Sequence, residues 1–269
     1  MIKNWLIRGD THGTFTWMAD GRLEGFAPEE TAIIILGDVG LNFYLNKSDD
    51  RNKKEVNARG YRLYCVRGNH EARPQDLNME LLWDEDVDGE VYWQPEYPNI
   101  RYFKDFGIYN VGGYSAAVIG GAYSVDKAMR IARDPINQDP KKTGWFPNEQ
   151  LSIEEMLAAT NLLRDRHYNF VLTHTCPVDW EPTDLFYATT NQSTVDKSME
   201  LFLSDLAKKI NWDVWCFGHY HADRIERPYV QQFFNCIESL DGVWFRWEKY
   251  DSTGQLDWWL PKSPQFYWD

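Results

Sequence analysis

Five short apolar runs in this chain each lead directly into residues that can bind a metal. Trp5 to Arg8 runs into Asp10 and His12, Thr31 to Leu36 into Asp38, and Tyr61 to Val66 into Asn69 and His70. Phe170 to Thr173 runs into His174, and Val214 to Phe217 into His219 and His221. Continuous apolar runs of this kind predict strands buried on both faces, as parallel sheets require. Open α/β sheets place ligands at the carboxyl ends of their strands, so the five runs predict an α/β fold whose strand ends converge. Five of the six histidines lie in these segments. Glycines at 9, 13, 37, 68 and 218 permit tight turns and close approach of backbone to a bound anion. Taken singly, a Gly-Asp or Gly-Asn pair is also ordinary turn chemistry; the ordered set is what points to a site.

The donors are carboxylates, an amide and imidazoles, with no cysteine among them. Oxygen and imidazole donors suit borderline divalent ions such as manganese, iron, cobalt or zinc. There are enough of them for two ions. A carboxylate such as Asp38 can bridge two metals roughly 3.5–4 Å apart, the clamp used in phosphoester hydrolysis.

In their order and wording, Gly9-Asp10-Thr11-His12-Gly13, Gly37-Asp38, Arg67-Gly68-Asn69-His70-Glu71, Thr173-His174 and Gly218-His219-Tyr220-His221 resemble the calcineurin-like metallophosphoesterase superfamily. The wording is nearest its serine/threonine protein phosphatase branch, in the form of a small bacterial or phage-type member. The resemblance implies a four-layer α-β-β-α sandwich with a dimetal site at the carboxyl ends of the central strands. It implies one ion on Asp10, His12, Asp38 and His221, and a second on Asp38, Asn69, His174 and His219. Asp38 and His70 are then the catalytic residues: Asp38 bridges the ions, and His70 protonates the leaving oxygen or stabilises the transition-state phosphate. Asn69 and His70 also face substrate. The implied cofactors are two divalent ions, manganese foremost, with iron, zinc or cobalt as alternatives.

The chain departs from that branch after Asp38. The phosphatases continue Gly-Asp-x-Val-Asp-Arg-Gly, where this chain has Leu41 and Asn42. The acid expected to orient the catalytic histidine and the arginine expected to grip phosphate are both missing. A second stretch, Gly120 to Asp126 followed by Lys127, Arg130 and Arg133 and then Gly144-Trp145-Phe146-Pro147, is similar to one in small bacterial and phage-type members. That similarity puts Ser124, Asp126 and Arg130 on the substrate side; the alternative is a solvated helix from Ser124 to Asp134 with ordinary surface charges.

At 269 residues the chain suits one domain spanning 1–269, with about 72–170 as room for a cap-like insertion. The net charge of −13 and pI near 4.9 argue against duplex nucleic acid and anionic membranes. Mean hydropathy is −0.57, no apolar run is long enough to span a bilayer, and no signal-peptide pattern precedes Trp5. Cys65, Cys176, Cys216 and Cys236 show no paired spacing, which fits a reducing cytoplasm.

Further elements follow from local pattern. Helices are predicted near 14–24, 47–59 and 195–209, and over Ile153 to Arg166, where Ser152 and Glu155 form a capping box. Short strands are expected at 91–93, 100–103, 107–111 and 114–119, the last two joined by a hairpin at Gly112-Gly113. Tyr229–Cys236, Gly242–Tyr250 and Gln255–Leu260 read as three antiparallel strands, the last two joined by a turn at Asp251 to Gly254. The late tryptophans (244, 247, 258, 259 and 268) are expected to pack a core rather than form a partner surface. His167 reads as a surface or capping residue. The function expected is a dimetal phosphoester hydrolase attacking in line through a metal-bridging hydroxide: a phosphomonoesterase acting on a phosphorylated small molecule or phosphoprotein. Its alternatives are a phosphodiesterase or nucleotide hydrolase, and a metal-binding scaffold with little turnover.

Overall fold

Each of the five apolar runs becomes a strand, and the alternation of side chains along them decides how the layers stack. The structure, a computed structural model, describes residues 1–253 except 187–189 and 228. One sheet takes β1 (Asn4–Arg8), β2 (Thr31–Ile35), β3 (Arg62–Cys65), β4 (Glu80–Asp84), β5 (Gly89–Trp93) and β6 (Ile100–Phe103). The other takes β7 (Phe106–Val111), β8 (Tyr114–Ile119), β9 (His167–Thr173), β10 (Asn211–Phe217), β11 (Arg224–Arg227) and β12 (Val230–Gln232). Strand β13 (Ile237–Ser239) returns to the first sheet beside β1. The orders are β13-β1-β2-β3-β6-β5-β4 and β11-β12-β10-β9-β8-β7. Strands β1, β2, β3 and β6 are mutually parallel, as are β8, β9, β10 and β12, so each sheet presents a row of carboxyl ends.

The helices are α1 (Lys47–Ala58), α2 (Lys127–Ile131), α3 (Pro140–Thr143), α4 (Ile153–Leu163), α5 (Ser198–Leu206) and α6 (Leu240–Thr253). Between the sheets, Ile7, Ile34 and Tyr64 meet Val118, Phe170, Leu172 and Val214. On the outer face of the first sheet, Leu6, Ile33, Ile35 and Leu63 pack with Phe15, Trp17 and Val56 of α1. On the outer face of the second, Val171, Trp215 and Phe217 pack with Leu163 of α4 and with Met199, Leu203 and Leu206 of α5. Three apolar layers separate four structural ones, which is the expected α-β-β-α sandwich. Each fully buried branched or aromatic side chain contributes about 1.5–3 kcal/mol, and truncating Phe170 at the central layer would cost about 3–5 kcal/mol.

Local expectations divide. The capping box is present: Ser152 Oγ accepts from Glu155 N at 3.2 Å, and Glu155 Oε2 accepts from Ser152 N at 2.7 Å. Gly112 and Gly113, at φ +63° and +90°, make the two-residue turn joining β7 and β8, where Val111 pairs with Tyr114. The helix expected at 14–24 is only a 3-10 turn, Thr16–Met18, followed by Gly21 and Gly25 in positive-φ conformations that a helix excludes. Of the stretch from Ser124 to Asp134, only Lys127–Ile131 is helical.

The late three-stranded expectation is overturned. Val230–Gln232 is a strand but runs parallel to β10, and residues 242–250 lie inside α6. Asp251 to Thr253 end that helix rather than form a turn, while Gly254 and 255–260 lie outside the described residues. Leu240, Val243, Trp244 and Trp247 follow helical spacing and face the inter-sheet core. The packing role expected for the tryptophans therefore holds for Trp244 and Trp247; Trp258, Trp259 and Trp268 are outside the described residues. His167 opens β9 at the surface, 3.0 Å from Asp213.

Candidate metal centre

The carboxyl ends of β1, β2 and β3 in one sheet and of β9 and β10 in the other converge on a single group of donors. Asp10, His12 and His221 form one cluster, Asp10, Asp38 and His174 a second, and His12, Asp38 and His70 a third, the ligand atoms within each lying no more than 4.8 Å apart. His12 Nε2 and His221 Nε2 are 2.9 Å apart. Asp10 Oδ1 accepts from the His219 backbone N–H at 2.9 Å. Its Oδ2 is buried and makes no hydrogen bond, although it lies 3.3 Å from His221 Nε2. Asp38 Oδ1 accepts from the His70 N–H at 2.8 Å and is 3.5 Å from His174 Nε2.

Backbone strain concentrates here. His12, Asp38, His219 and His221 all have positive φ, between 45° and 71°, a conformation that costs a non-glycine residue roughly 1–2 kcal/mol. The glycines are needed for space: a Cβ on Gly68 would sit 2.0 Å from Asp38 Oδ1, and one on Gly218 would sit 2.4 Å from Asp10 Oδ1. Glu71 closes the ring from below. It is buried, and its two oxygens accept from the Gly40 N–H at 3.1 Å and the Gly68 N–H at 3.2 Å, tying the loops after β2 and β3 together. Burial, reinforced by Asp38, pushes its carboxyl up to about 8.

The donors suit a cation. His174 Nδ1 faces the Leu36 carbonyl at 2.7 Å, so it donates there and turns Nε2 inward, the carbonyl-oriented arrangement common to metal-binding imidazoles. That Nε2 meets two acceptors, Asn69 Oδ1 at 2.9 Å and Asp38 Oδ1 at 3.5 Å. Burial opposes protonation of His174, but Asp38 and Asp10 outweigh it and raise the imidazole to about 9. Burial likewise opposes ionisation of Asp38, yet His70, His174 and His12 hold its carboxyl well below the usual range. Acceptor atoms thus converge on points where only positive charge satisfies them. A divalent ion would fill that role and take the place of the proton.

His219 is the loosest member of the expected ligand set. Its ring lies 4.9 Å from that of His174, centroid to centroid, outside the three tight clusters, and burial drives it down to about 3, leaving it neutral. His70 stands at the rim. Its Nε2 is 4.0 Å from Asp38 Oδ2, and Phe43 stacks on its ring at 5.9 Å. Leu41 and Asn42 are both buried, at 0% and 2% exposure.

The group beside His70 is Arg130. Its Nη2 lies 3.0 Å from His70 Nδ1, its Nη1 donates to the Gly144 carbonyl at 2.8 Å, and its Nε donates to Asp126 Oδ2 at 2.6 Å. The same Nη2 lies 3.4 Å from His70 Nε2, so the guanidinium rests against both ring nitrogens. An acid–arginine pair therefore stands beside the histidine after all, brought by α2 instead of the loop after β2. Ser124 is a correction: expected to line the substrate side, it is buried behind Asn69, its hydroxyl spent on Asn69 and Glu149. Glu149 and Glu71 carried no expected role. Glu71 ends the Gly-Asn-His-Glu wording and so had a signal; Glu149 had none.

The sequence profile of the calcineurin-like phosphoesterases matches residues 6–223. The chain belongs to that family. Membership and the Asp/His cluster together support a phosphoesterase dependent on divalent metal ions. No curated protein sequence matches this phosphoesterase. Among solved structures, one aligns over 90% of this chain and 96% of its own at 14% identity and a TM-score of 0.48. The phosphopantetheinyl hydrolase from Mycobacterium tuberculosis aligns over 86% of this chain and 88% of its own, at 14% identity and a TM-score of 0.42. A protein of unknown function from Aquifex aeolicus aligns over 64% of this chain and 81% of its own, at 16% identity and a TM-score of 0.27.

Proposed function

We propose that this phosphoesterase is a two-metal phosphomonoesterase, resembling serine/threonine phosphatases, that acts on a phosphorylated small molecule or phosphoprotein. Two divalent ions, one on Asp10, His12, Asp38 and His221 and one on Asp38, Asn69, His174 and His219, would supply an activated water and neutralise charge on the phosphate oxygens. Manganese is the first choice for this oxygen and imidazole set, with iron, zinc or cobalt as alternatives.

Arg130 is the observation that carries the monoester reading. Asn42 provides no cation, but three of the five N–H groups of Arg130 are engaged by Asp126, Gly144 and His70, leaving two for substrate. A dianionic monoester gains more from such a fork than a monoanionic diester does. Asp126 holds the guanidinium in place, and Phe43 packs against both the His70 ring and Arg130. His70 protonates the leaving oxygen or stabilises the transition-state phosphate.

The four cysteines are free, three of them buried, which fits a reducing compartment such as the cytoplasm. Among the described residues no helix is long and apolar enough to cross a membrane. The deciding experiment is manganese-supplemented hydrolysis of p-nitrophenyl phosphate against bis-p-nitrophenyl phosphate, with a chelated control. Chelator-sensitive turnover favouring the monoester is expected. Preference for the diester would reassign the chain to phosphodiesterase or nucleotide hydrolase, and silence from metal-loaded protein would leave a binding scaffold.

A further inference from the structure

Behind the metal-facing amide of Asn69 runs a buried chain of three polar side chains with one direction of donation. Asn69 Nδ2 donates to Ser124 Oγ at 2.9 Å. Ser124 Oγ donates to Glu149 Oε2 at 2.6 Å, and the Ser124 backbone N–H donates to Glu149 Oε1 at 3.1 Å. Asn69, Ser124 and Glu149 are 2%, 3% and 3% exposed. Glu149 is itself anchored, since its carbonyl accepts from Arg67 Nη1 at 2.8 Å, two residues before Asn69.

The direction follows from the number of protons. A hydroxyl has one proton to give. A carboxylate accepts only, so the Ser124 proton points at Glu149 and the Ser124 oxygen is left to accept. The Asn69 NH2 then has its partner, and the amide oxygen is the end turned toward His174 Nε2 at 2.9 Å. An amide flipped by half a turn would aim N–H groups at the donor cluster and lose the ligand.

We propose that Glu149 is a positioning residue: through Ser124 it sets the orientation of the Asn69 amide and thereby the affinity of the ion shared by Asp38, Asn69 and His174. The inference rests on the two-ion reading above. Groups behind the ligands of a metal commonly change affinity about 10–100-fold when removed.

Glu149→Gln tests the direction with almost no change of shape. If the new amide turns its NH2 toward the Ser124 N–H, two donors oppose each other. It therefore turns the NH2 toward Ser124 Oγ, whose two lone pairs must then serve both that NH2 and the Asn69 Nδ2, while its proton has lost the carboxylate that took it. The one-way relay is broken, and the Asn69 oxygen is held less firmly toward the metal. Manganese(II) titrated into metal-stripped full-length protein, followed by calorimetry and by electron paramagnetic resonance, reads the result.

Wild type is expected to take up both ions and show the spin-coupled dinuclear spectrum. Glu149→Gln should bind one ion as wild type does and the other about 10–100-fold more weakly, with an uncoupled mononuclear spectrum at equal loading. Ser124→Ala, a smaller change that decides the matter if Glu149→Gln does not fold, should weaken the same ion. Glu149→Asp, which keeps the acceptor-only polarity, should recover part of the affinity. Wild-type affinity for both ions in Glu149→Gln and Ser124→Ala, or equal weakening of both, overturns the inference while sparing the two-ion reading. A wild type that saturates below two ions overturns that reading and the inference with it.

Discussion

Replacing Arg130 tests the proposed substrate grip directly. With three of its five N–H groups held by Asp126, Gly144 and His70, two remain for phosphate. A hydrogen bond to a charged group contributes about 1.5–3 kcal/mol, so two contribute roughly 3–6 kcal/mol if both form fully in the transition state. The side chain is 11% exposed, and solvent screens it little. At about 1.4 kcal/mol per decade, Arg130→Ala should lower kcat/KM for a monoester by roughly 10²–10⁴-fold. The loss for a diester should be smaller, because one anionic oxygen fewer meets the fork. Arg130→Lys keeps charge but not the fork and should fall between. Steady-state kinetics on the paired nitrophenyl esters, with metal content checked, gives the numbers. Arg130 also touches His70, so the cycle with His70→Ala matters. Additive losses place Arg130 on substrate; an Arg130 effect that vanishes without His70 makes it a positioning residue. A monoester kcat/KM within tenfold of wild type, or equal losses on both esters, would refute the reasoning.

Asp38→Asn should abolish turnover and lower bound metal, because it removes the carboxylate placed among His174, His70 and His12; full rate with undiminished metal by elemental analysis would show the ligand scheme to be wrong. His70→Ala should keep its metal and lose roughly 10²–10⁴-fold in kcat, and loss of metal instead would make the residue a ligand. Glu200 offers a test of stability against pH. Burial raises its carboxyl from an ordinary 4.5 to about 7; Thr175 donates to one oxygen at 2.8 Å while the other has no partner. A raised acid is at no disadvantage below the unfolded value and destabilises the fold as pH climbs through the folded one, by about 3 kcal/mol at roughly 1.4 kcal/mol per unit. Glu200→Gln should therefore gain stability relative to wild type between pH 5 and pH 8 in denaturant titrations, and a difference independent of pH would contradict the burial argument.

What the sequence disclosed was whatever depends on neighbours in the chain. The apolar runs before Asp10, Asp38, Asn69, His174 and His219 are local, as are the Ser152–Glu155 capping box and the Gly112-Gly113 turn, and each was legible. Residues 242–250 were misread although their signal was local: Leu240, Val243, Trp244 and Trp247 follow the helical period, but their aromatic content suggested strands. Two other features were out of reach. Positive φ at His12, Asp38, His219 and His221 is imposed by packing of loops from two sheets, not by residue type. The contact between Arg130 and His70 spans 60 positions; the resemblance put both residues on the substrate side, but no local pattern reports the contact itself.

The same geometry explains where this phosphoesterase has room to vary. The loops that carry the donors are locked by atoms: Gly68 abuts Asp38, Gly218 abuts Asp10, and a Cβ on Gly37 would sit 2.1 Å from His174 Nδ1. An acid or arginine at 41 or 42 would enter a space where Leu41 and Asn42 are already buried, and a charge there would pay heavily for lost hydration. The arm from Tyr123 to Phe146 is constrained mainly at its ends, where Ser124, Thr143, Trp145 and Phe146 are buried. Between those ends Val125, Met129 and Ile136 are 50%, 72% and 89% exposed, and Arg130 is held to the site through Asp126 and Gly144. In the proposed reading the cationic grip comes from the arm instead of the rigid loop after β2, and the arm's exposed positions can change without disturbing the donors. Metal binding would then belong to the converging strand ends, and discrimination among phosphoesters to the arm.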